Sequence, residues 1–330
     1  VKTISIVSPC YNEAENVAEV VRRVREVMAG LPDYRYEHLF IDNCSKDGTV
    51  GLLRAMAAED RRVKVIVNAR NFGHIRSPYH GLLQARGDAV ISLASDLQDP
   101  PELIREFVQR WAAGARVVVG VKTSSHENGL VYWLRGLYYR GLRRVATVDL
   151  LEHFTGFGLY DRTVMDVLRG LREPYPYFRG LISDVGSDIV RVNFEQPRRQ
   201  RGVTKNNFAT LLDMALLGLT NHTKIPLRMA TTLGFAAAGL SFLVGLGYLV
   251  AKLLFWNTFN AGIAPLVLGM FFFGSIQLLF LGLIGEYVGA IFTYVQGRPL
   301  VIERERINFE EDGQGGSERF GADGPRPPPQ

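Results

Sequence analysis

Residues 4–13 read Ile4-Ser5-Ile6-Val7-Ser8-Pro9-Cys10-Tyr11-Asn12-Glu13, a β-branched run that meets a proline and then turns polar. A helix-spaced segment follows at 15–29, and the same unit recurs down the chain. Strands are predicted at 4–7, 39–42, 63–67, 89–93 and 116–121, with helices between them at 15–29, 50–58, 76–85 and 101–113. Alternation of this kind predicts an α/β domain with a mainly parallel sheet, whose ligand site lies at the carboxyl ends of the strands.

Three polar clusters sit at those ends: Pro9 to Glu13, then Asp42-Asn43-Cys44-Ser45-Lys46-Asp47-Gly48, then Asp96-Leu97-Gln98-Asp99-Pro100-Pro101-Glu102. Asp47 and Asp99 alone read equally well as helix caps. Three clusters converging on one crevice predict a site.

The 330 residues average 47% hydrophobic and 22% charged, with 38 Lys+Arg against 33 Asp+Glu. These averages hide a division, because only Lys252 and Glu286 are charged between residues 229 and 297. The uncharged runs 229–251 and 263–285 are each 23 residues long, against roughly 20 needed to cross a bilayer core. Residues 233–249 show no polar stripe, which argues against a buried soluble helix. A short link, 256–262, makes the pair a hairpin. Lys224 and Arg228 before it and Arg298, Arg304 and Arg306 after it predict both termini on the cytoplasmic side of the plasma (inner) membrane in a multi-pass protein. No signal peptide is read at the start, since 1–9 is too short for one. Cys10 and Cys44 give no disulfide framework, which fits a reducing compartment. The net charge of +5 is a weak argument for nucleic acid, and anionic lipid or phosphate explains the basic residues better.

The expected organisation is a cytoplasmic catalytic domain at 1–200, a juxtamembrane linker and interface helix at 201–226, membrane helices at 227–256 and 263–295, a cytoplasmic C-terminal segment at 296–309 and a disordered tail at 310–330. Residues 128–146 combine Arg135, Arg140, Arg143 and Arg144 with Trp133, Tyr138 and Tyr139. That stretch is either a helix lying on the membrane surface or one packed on the sheet with a solvated basic face. Residues 208–219 are a second interface candidate.

The chain resembles the inverting GT-A (Rossmann-like) glycosyltransferases of family 2, and within them the polyisoprenyl-phosphate glycosyltransferases, which include bactoprenol glucosyltransferases and dolichol-phosphate mannose synthases. The marks are Ser8-Pro9-Cys10-Tyr11-Asn12-Glu13-Ala14-Glu15-Asn16-Val17, Arg70-Asn71-Phe72-Gly73, the Asp96 to Glu102 run, Gly202-Val203-Thr204-Lys205, Gly285-Glu286-Tyr287-Val288-Gly289 and Gly297-Arg298-Pro299-Leu300. The Gln-x-x-Arg-Trp signature of processive relatives is absent; Gln109-Arg110-Trp111 lacks its spacing.

The resemblance implies a donor and an acceptor. A UDP-sugar would be held by Pro9, Tyr11, Asn12 and Glu13, with Asp42 and Arg70 at its base or ribose. Asp96 would bind a divalent cation, Mg2+ or Mn2+, with Gln98 beside the sugar. Ala94 stands where a first carboxylate is usual, and Asn43 where many relatives have a second Asp. A polyisoprenyl phosphate would be gripped by Arg198, Arg199, Arg201 and Lys205, a cluster that reads alternatively as a juxtamembrane patch for anionic lipid. Lipid phosphate arrives deprotonated at neutral pH, so the chemistry needs cations more than a base. Asp161 is the candidate base, with Glu152 the fallback, although Asp161 also reads as the cap of a helix from Arg162. Gly158 replaces the Arg of the family's Gly-Phe-Arg-Leu pattern. A homo-oligomer packed through the hairpins is expected. The sugar expected first is glucose; a GDP-mannose or aminoarabinose transferase is the alternative. From another class comes a catalytically silent nucleotide-binding anchor or flippase component.

Overall fold

The computed structural model describes residues 1–122, residues 154–195 except 172, 175, 177, 186 and 187, and residues 225–255 and 263–309. Both expected interface helices (128–146 and 208–219), Glu152, the Arg198 to Lys205 cluster, the 256–262 link and the tail lie outside them.

An eight-stranded sheet forms from β1 (Lys2–Cys10), β2 (Tyr34–Asp42), β3 (Val63–Asn68), β4 (Ala89–Ser92), β5 (Val117–Lys122), β6 (Phe154–Asp161), β7 (Ile189–Phe194) and β8 (Glu303–Ile307), in the order β7-β5-β6-β4-β1-β2-β3-β8. The β1–β2, β1–β4, β2–β3 and β5–β7 pairs are parallel, while β6 and β8 run against their neighbours. The α/β, mainly parallel sheet is as expected.

Side-chain alternation explains the layering. Phe40, Val65, Ile91 and Val118 face one core with Val20, Val24, Leu53 and Phe107. Their neighbours Leu39, Ile41, Ile66, Val90, Val117 and Val119 face a second core with Tyr79, Leu82, Val164 and Leu168. Successive residues of a strand point to opposite faces, so each strand needs cover on both sides. The first cover comes from α1 (Val17–Ala29), α2 (Thr49–Glu59) and α4 (Ile104–Ala112), and the second from α3 (Gly73–Gln84), α5 (Arg162–Gly170) and α6 (Phe178–Asp184).

The sheet departs from the expected domain plan at its edge. Strand β8 comes from the segment expected to be a separate C-terminal piece, yet it pairs with β3 from Val65↔Ile307 to Asn68↔Glu303. Its alternation Glu303-Arg304-Glu305-Arg306 puts charge on an edge that would otherwise invite pairing with another chain. The sheet unit thus includes the described residues from Arg298 to Phe309.

A second compact unit holds two long helices, α7 (Ile225–Leu254) and α8 (Ile263–Gln296). Their apolar side chains are turned outward: Phe235 is 76% exposed and Val295 80%. Two membrane spans are expected here; among the described residues one segment, Phe272–Gln296 in α8, is long and apolar enough to cross a bilayer.

Candidate active site

Strands β1, β2, β3 and β4 are mutually parallel, so the three polar clusters and the Arg70 to Gly73 loop leave the same rim of the sheet. Each of the three clusters contains a residue with positive φ that is not glycine: Asn12 (57°), Cys44 (64°) and Leu97 (60°). Asparagine tolerates this region, but leucine does so at a cost of about 1–3 kcal/mol. Three such turns on one rim mark where the sheet stores its backbone strain.

The first two clusters are knitted together. The Asn12 amide N–H donates to Ser45 Oγ (2.8 Å), and its side-chain oxygen accepts from the Lys46 amide (2.8 Å). The Glu13 amide donates to Thr49 Oγ1 (2.9 Å), while its carboxylate accepts from Asn16 (2.6 Å). Asp47 receives the amide and hydroxyl of Thr49 (3.0 and 2.5 Å), serving the start of α2 as a cap-like residue. Pro9 and Tyr11 are half-buried beside them.

Asp42 is fully buried, and both oxygens are occupied by the Ser45 amide (2.9 Å) and the Ser45 hydroxyl. It holds the β2 turn in place. Cys10 lies against it, 3.8 Å from Asp42 Oδ2. Burial first, then the Asp42 and Glu13 charges, push its thiol well above the usual range. Both cysteines are free.

Arg70 is exposed, with its guanidinium 4.1 Å from the Phe72 ring centre in a cation–π contact. The loop that carries it hangs on Asn43, which is 7% exposed. The Asn43 side-chain N–H group donates to Asn71 Oδ1 (2.9 Å) and to the Gly73 carbonyl (3.1 Å). Its oxygen accepts from the Phe72 amide (2.9 Å) and from Asn68 (3.3 Å), and Asn68 in turn donates to Ser77 (2.9 Å). A carboxylate could not make the two donations. Asn43 therefore has its own structural logic and is not simply a lost acid, a role that spacing along the sequence did not reveal.

After β4, Asp96 and Gln98 are half-buried and share the turn in which the Gln98 amide donates to Asp96 Oδ1 (3.2 Å). Asp99 is 6% exposed and is pushed up to about 7 by burial and then by the Asp96 charge, with Lys122 and a backbone bond from Ala94 pulling the other way. It turns inward on its own loop, and no side-chain cap serves the 3-10 turn at Pro101–Leu103. Among the described residues no group of three or more His, Cys, Asp or Glu forms a metal cluster.

Asp161 is not on this rim. Strand β6 runs opposite to β4, pairing Asp161 with Ala89 and Gly158 with Ser92, so Asp161 stands at the amino end of β4. There it caps α5, accepting from the Thr163 amide (2.9 Å) and hydroxyl (2.7 Å), and it also receives Trp111 Nε1–H (2.8 Å). Burial opposes its charge, but the Thr163 and Trp111 bonds prevail and hold its carboxyl below the ordinary value. The expected base is thus a helix cap, and the cap reading is the one the structure bears out. Gly158 is equally structural: a Cβ there would lie 2.5 Å from the Val118 carbonyl oxygen, so no side chain fits between β6 and β5.

Comparison with known proteins fits this rim. Residues 5–169 match the family model described as glycosyl transferase family 2. The chain is 35% identical over 309 residues to the uncharacterized glycosyltransferase YkcC of Bacillus subtilis, covering 93% of this chain and 94% of that one. It is 34% identical over 300 residues to the SfII prophage-derived bactoprenol glucosyl transferase of Shigella flexneri, covering 91% and 96%. A solved glucosyl-3-phosphoglycerate synthase from Mycobacterium tuberculosis, in complex with Mn2+, UDP and phosphoglyceric acid, is similar at 22% identity with a TM-score of 0.45, over 65% of this chain and 75% of that one. The chain belongs to glycosyl transferase family 2. It is a glycosyltransferase with the GT-A-like α/β architecture.

Proposed function

We propose that the enzyme transfers a hexose, glucose first, from a UDP-sugar to a polyisoprenyl phosphate of the undecaprenyl type at the cytoplasmic face of the inner membrane, with inversion at the anomeric carbon. Supporting the acceptor are relatives named bactoprenol glucosyl transferase that align along nine-tenths of the chain. The observation that carries the proposal is the common rim. Strand β5 is parallel to β4, since both run against β6, and β7 is parallel to β5. Phe194 therefore ends β7 on the rim that bears Asp96, and Arg198 and Arg199 follow four and five residues later. Three strand spacings separate β7 from β4, about 14 Å, and five residues of chain can span roughly 17 Å. A donor held over the Asp96 loop shares its rim with the end of β7, the strand that precedes the basic stretch in the sequence.

In this reading an acceptor phosphate oxygen attacks the anomeric carbon as the bond to the UDP β-phosphate oxygen breaks. No proton has to move, so the displacement of Asp161 removes nothing the reaction needs. Arg198, Arg199, Arg201 and Lys205 offset the charge of two anions brought together, and Arg70 over Phe72 offers a face for the nucleoside. The Asp96 carboxylate, a hard oxygen donor, would hold a divalent cation, Mg2+ or Mn2+. When bound, that cation supplies charge neutralisation for the departing diphosphate. Repulsion between Asp96 and Asp99 favours a positive charge at that turn.

The outward apolar faces of α7 and α8 support a membrane hairpin, with α7 as the companion of the Phe272–Gln296 span. The chain leaves the sheet unit before α7 and rejoins it after α8. In this reading the hairpin crosses twice, both termini are cytoplasmic, and a homo-oligomer packs through the hairpin.

Membranes carrying the enzyme, given labelled UDP-glucose and undecaprenyl phosphate, should yield a labelled glycolipid on thin-layer chromatography. Product from GDP-mannose or an aminoarabinose donor instead would move the assignment to those transferases. No glycolipid from any donor, with either cation supplied, would favour a silent nucleotide-binding anchor or flippase component.

A further inference from the structure

We propose that Glu303, on the strand that follows the apolar helices, is a positioning residue for the donor loop Arg70 to Gly73. Its donor-binding consequence rests on the function proposed above, while the positioning itself is a property of the sheet unit alone.

The loop lies between the end of β3 and helix α3, and the return segment is tied to both, reaching α3 at its middle and last turns. At the first, the Ala69 amide donates to the Ile302 carbonyl (2.9 Å), one residue before Arg70. Glu303 stands opposite Asn68, at the place where the β3–β8 register shifts. At the second, Glu303 Oε1 is 2.6 Å from His80 Nε2, and both side chains are more than four-fifths covered. Arg306 completes the tie, bonding Glu303 (2.5 and 2.8 Å) and Gln84 Oε1 (2.8 Å). His80 and Gln84 are four residues apart and so lie on one face of α3, turned to β8. Below, Asn308 donates to the Ala57 and Val63 carbonyls (2.6 and 2.8 Å), pinning the far end of the strand.

Asn43 holds the middle of the loop, and the Ile302–Glu303 step ties the residue before it and the helix that follows it. Without Glu303, α3 loses its tie to the sheet edge at His80, and the Arg70–Phe72 face loses its fixed height above the rim. Glu303 touches no substrate group in this arrangement and acts through His80.

The test compares Glu303→Ala, Glu303→Gln, His80→Ala and the double Glu303→Ala/His80→Ala in the full-length protein in detergent. Arg54→Ala is the control, because Arg54 pairs with Glu305 on the same strand but from α2, away from the loop. Two readouts are taken: hydrogen exchange of the peptide covering 69–77, and calorimetric titration with UDP. Exchange should quicken at least tenfold and UDP affinity fall about tenfold in both single alanine variants. The double variant should be no worse than either, and Glu303→Gln should recover most of the loss by keeping a hydrogen bond to His80. Arg54→Ala should leave both readouts within twofold even if it melts earlier. The proposal is overturned if the Glu303 and His80 variants melt earlier but keep wild-type exchange and affinity, or if Arg54→Ala loosens the loop as much as they do. Faster exchange in a protein that binds no uridine nucleotide would uphold the positioning and sink the donor assignment instead.

Discussion

Asn43→Asp is the sharpest test of the rim, because two accounts of this residue predict opposite results. If position 43 is a carboxylate site that has lost its acid, restoring the acid should improve the enzyme. The structure argues for damage. Asn43 is 7% exposed, and its two donations go to oxygens that accept and cannot donate, the Gly73 carbonyl and Asn71 Oδ1. A carboxylate would forfeit both donations, leaving Asn71 Oδ1 with only the Gly73 amide (2.8 Å), and would add a charge facing the two oxygens. Both acceptors belong to exposed residues that water can reach, so each lost hydrogen bond costs about 0.5–1.5 kcal/mol and the pair about 1–3 kcal/mol before any repulsion is counted. A value near 3 kcal/mol corresponds to roughly 100-fold in the equilibrium between ordered and opened loop.

Only the ordered loop presents Arg70 over Phe72, so donor affinity should fall with its population. Calorimetric titration with UDP, alongside hydrogen exchange at Phe72 and Gly73, reads both quantities. The expected result for Asn43→Asp is a tenfold to hundredfold loss of affinity at pH 8, with matching loss of protection. Part of the loss should be regained towards pH 6, where a protonated carboxyl recovers one donor. Wild-type affinity with protected amides, or faster turnover than wild type, would falsify the linchpin reading and reinstate position 43 as an acid site.

Other expectations are more direct. Asp161→Ala removes a cap and the Trp111 bond, so it should cost about 1–2 kcal/mol in equilibrium unfolding while leaving turnover per folded molecule near wild type; a dead but stable variant would return Asp161 to the chemistry. Asp96→Asn should reduce glycolipid formation at least a hundredfold with little change in melting, and excess Mn2+ or Mg2+ should not restore it; near-normal turnover would remove Asp96 from the centre of the site. Gly158→Ala forces a methyl group against the Val118 carbonyl and should destabilise by about 1–3 kcal/mol, a result that an unchanged denaturation midpoint would contradict. His38 is buried beside Ser8 Oγ (2.9 Å), and burial pushes it down to about 3. Its folded value lies below the unfolded value of about 6.5, so it contributes full stability above that pH and loses it as pH falls. Between pH 6.5 and 4.5 the loss should be about 2 kcal/mol, and the slope should flatten in His38→Gln if this residue causes it.

The strands that could be read from the sequence were those buried on both faces. Residues 63–67 and 89–93 are short continuous apolar runs, and the structure places β3 and β4 there with shifts of a residue or less at each end. The first half of β2 was not legible, because Tyr34-Arg35-Tyr36-Glu37 alternates charge with aromatic rings at an exposed rim. Strand β8 was hidden for the same reason, and more deeply, since Glu303 and its partner Asn68 are separated by the whole of the helical unit. Polar clusters at the strand ends identified the rim because parallel strands bring their carboxyl ends together whatever lies between them. The duties of individual side chains did not follow from that placement. Asp42 and Asp161 are acids of the right type near the right motifs, but one spends both oxygens on Ser45 and the other faces the opposite edge. Direction decides such cases: β6 runs against β4, and a single antiparallel pairing carried Asp161 from the expected site to the far side of the sheet.

The same geometry limits what a change at the rim can do. Loops that rest on hydrogen bonds from a neighbouring turn move together, so a substitution at Asn43 or Ser45 alters the donor platform without touching a donor. Strand spacing, in contrast, is fixed by the two cores, and the separation between the Asp96 turn and the end of β7 should survive such changes. A donor-side variant is therefore expected to weaken UDP binding while the apparent affinity for lipid phosphate stays within twofold. Measuring both constants in Asn43→Asp distinguishes a disordered platform from a collapsed domain, because collapse would weaken the two substrates together.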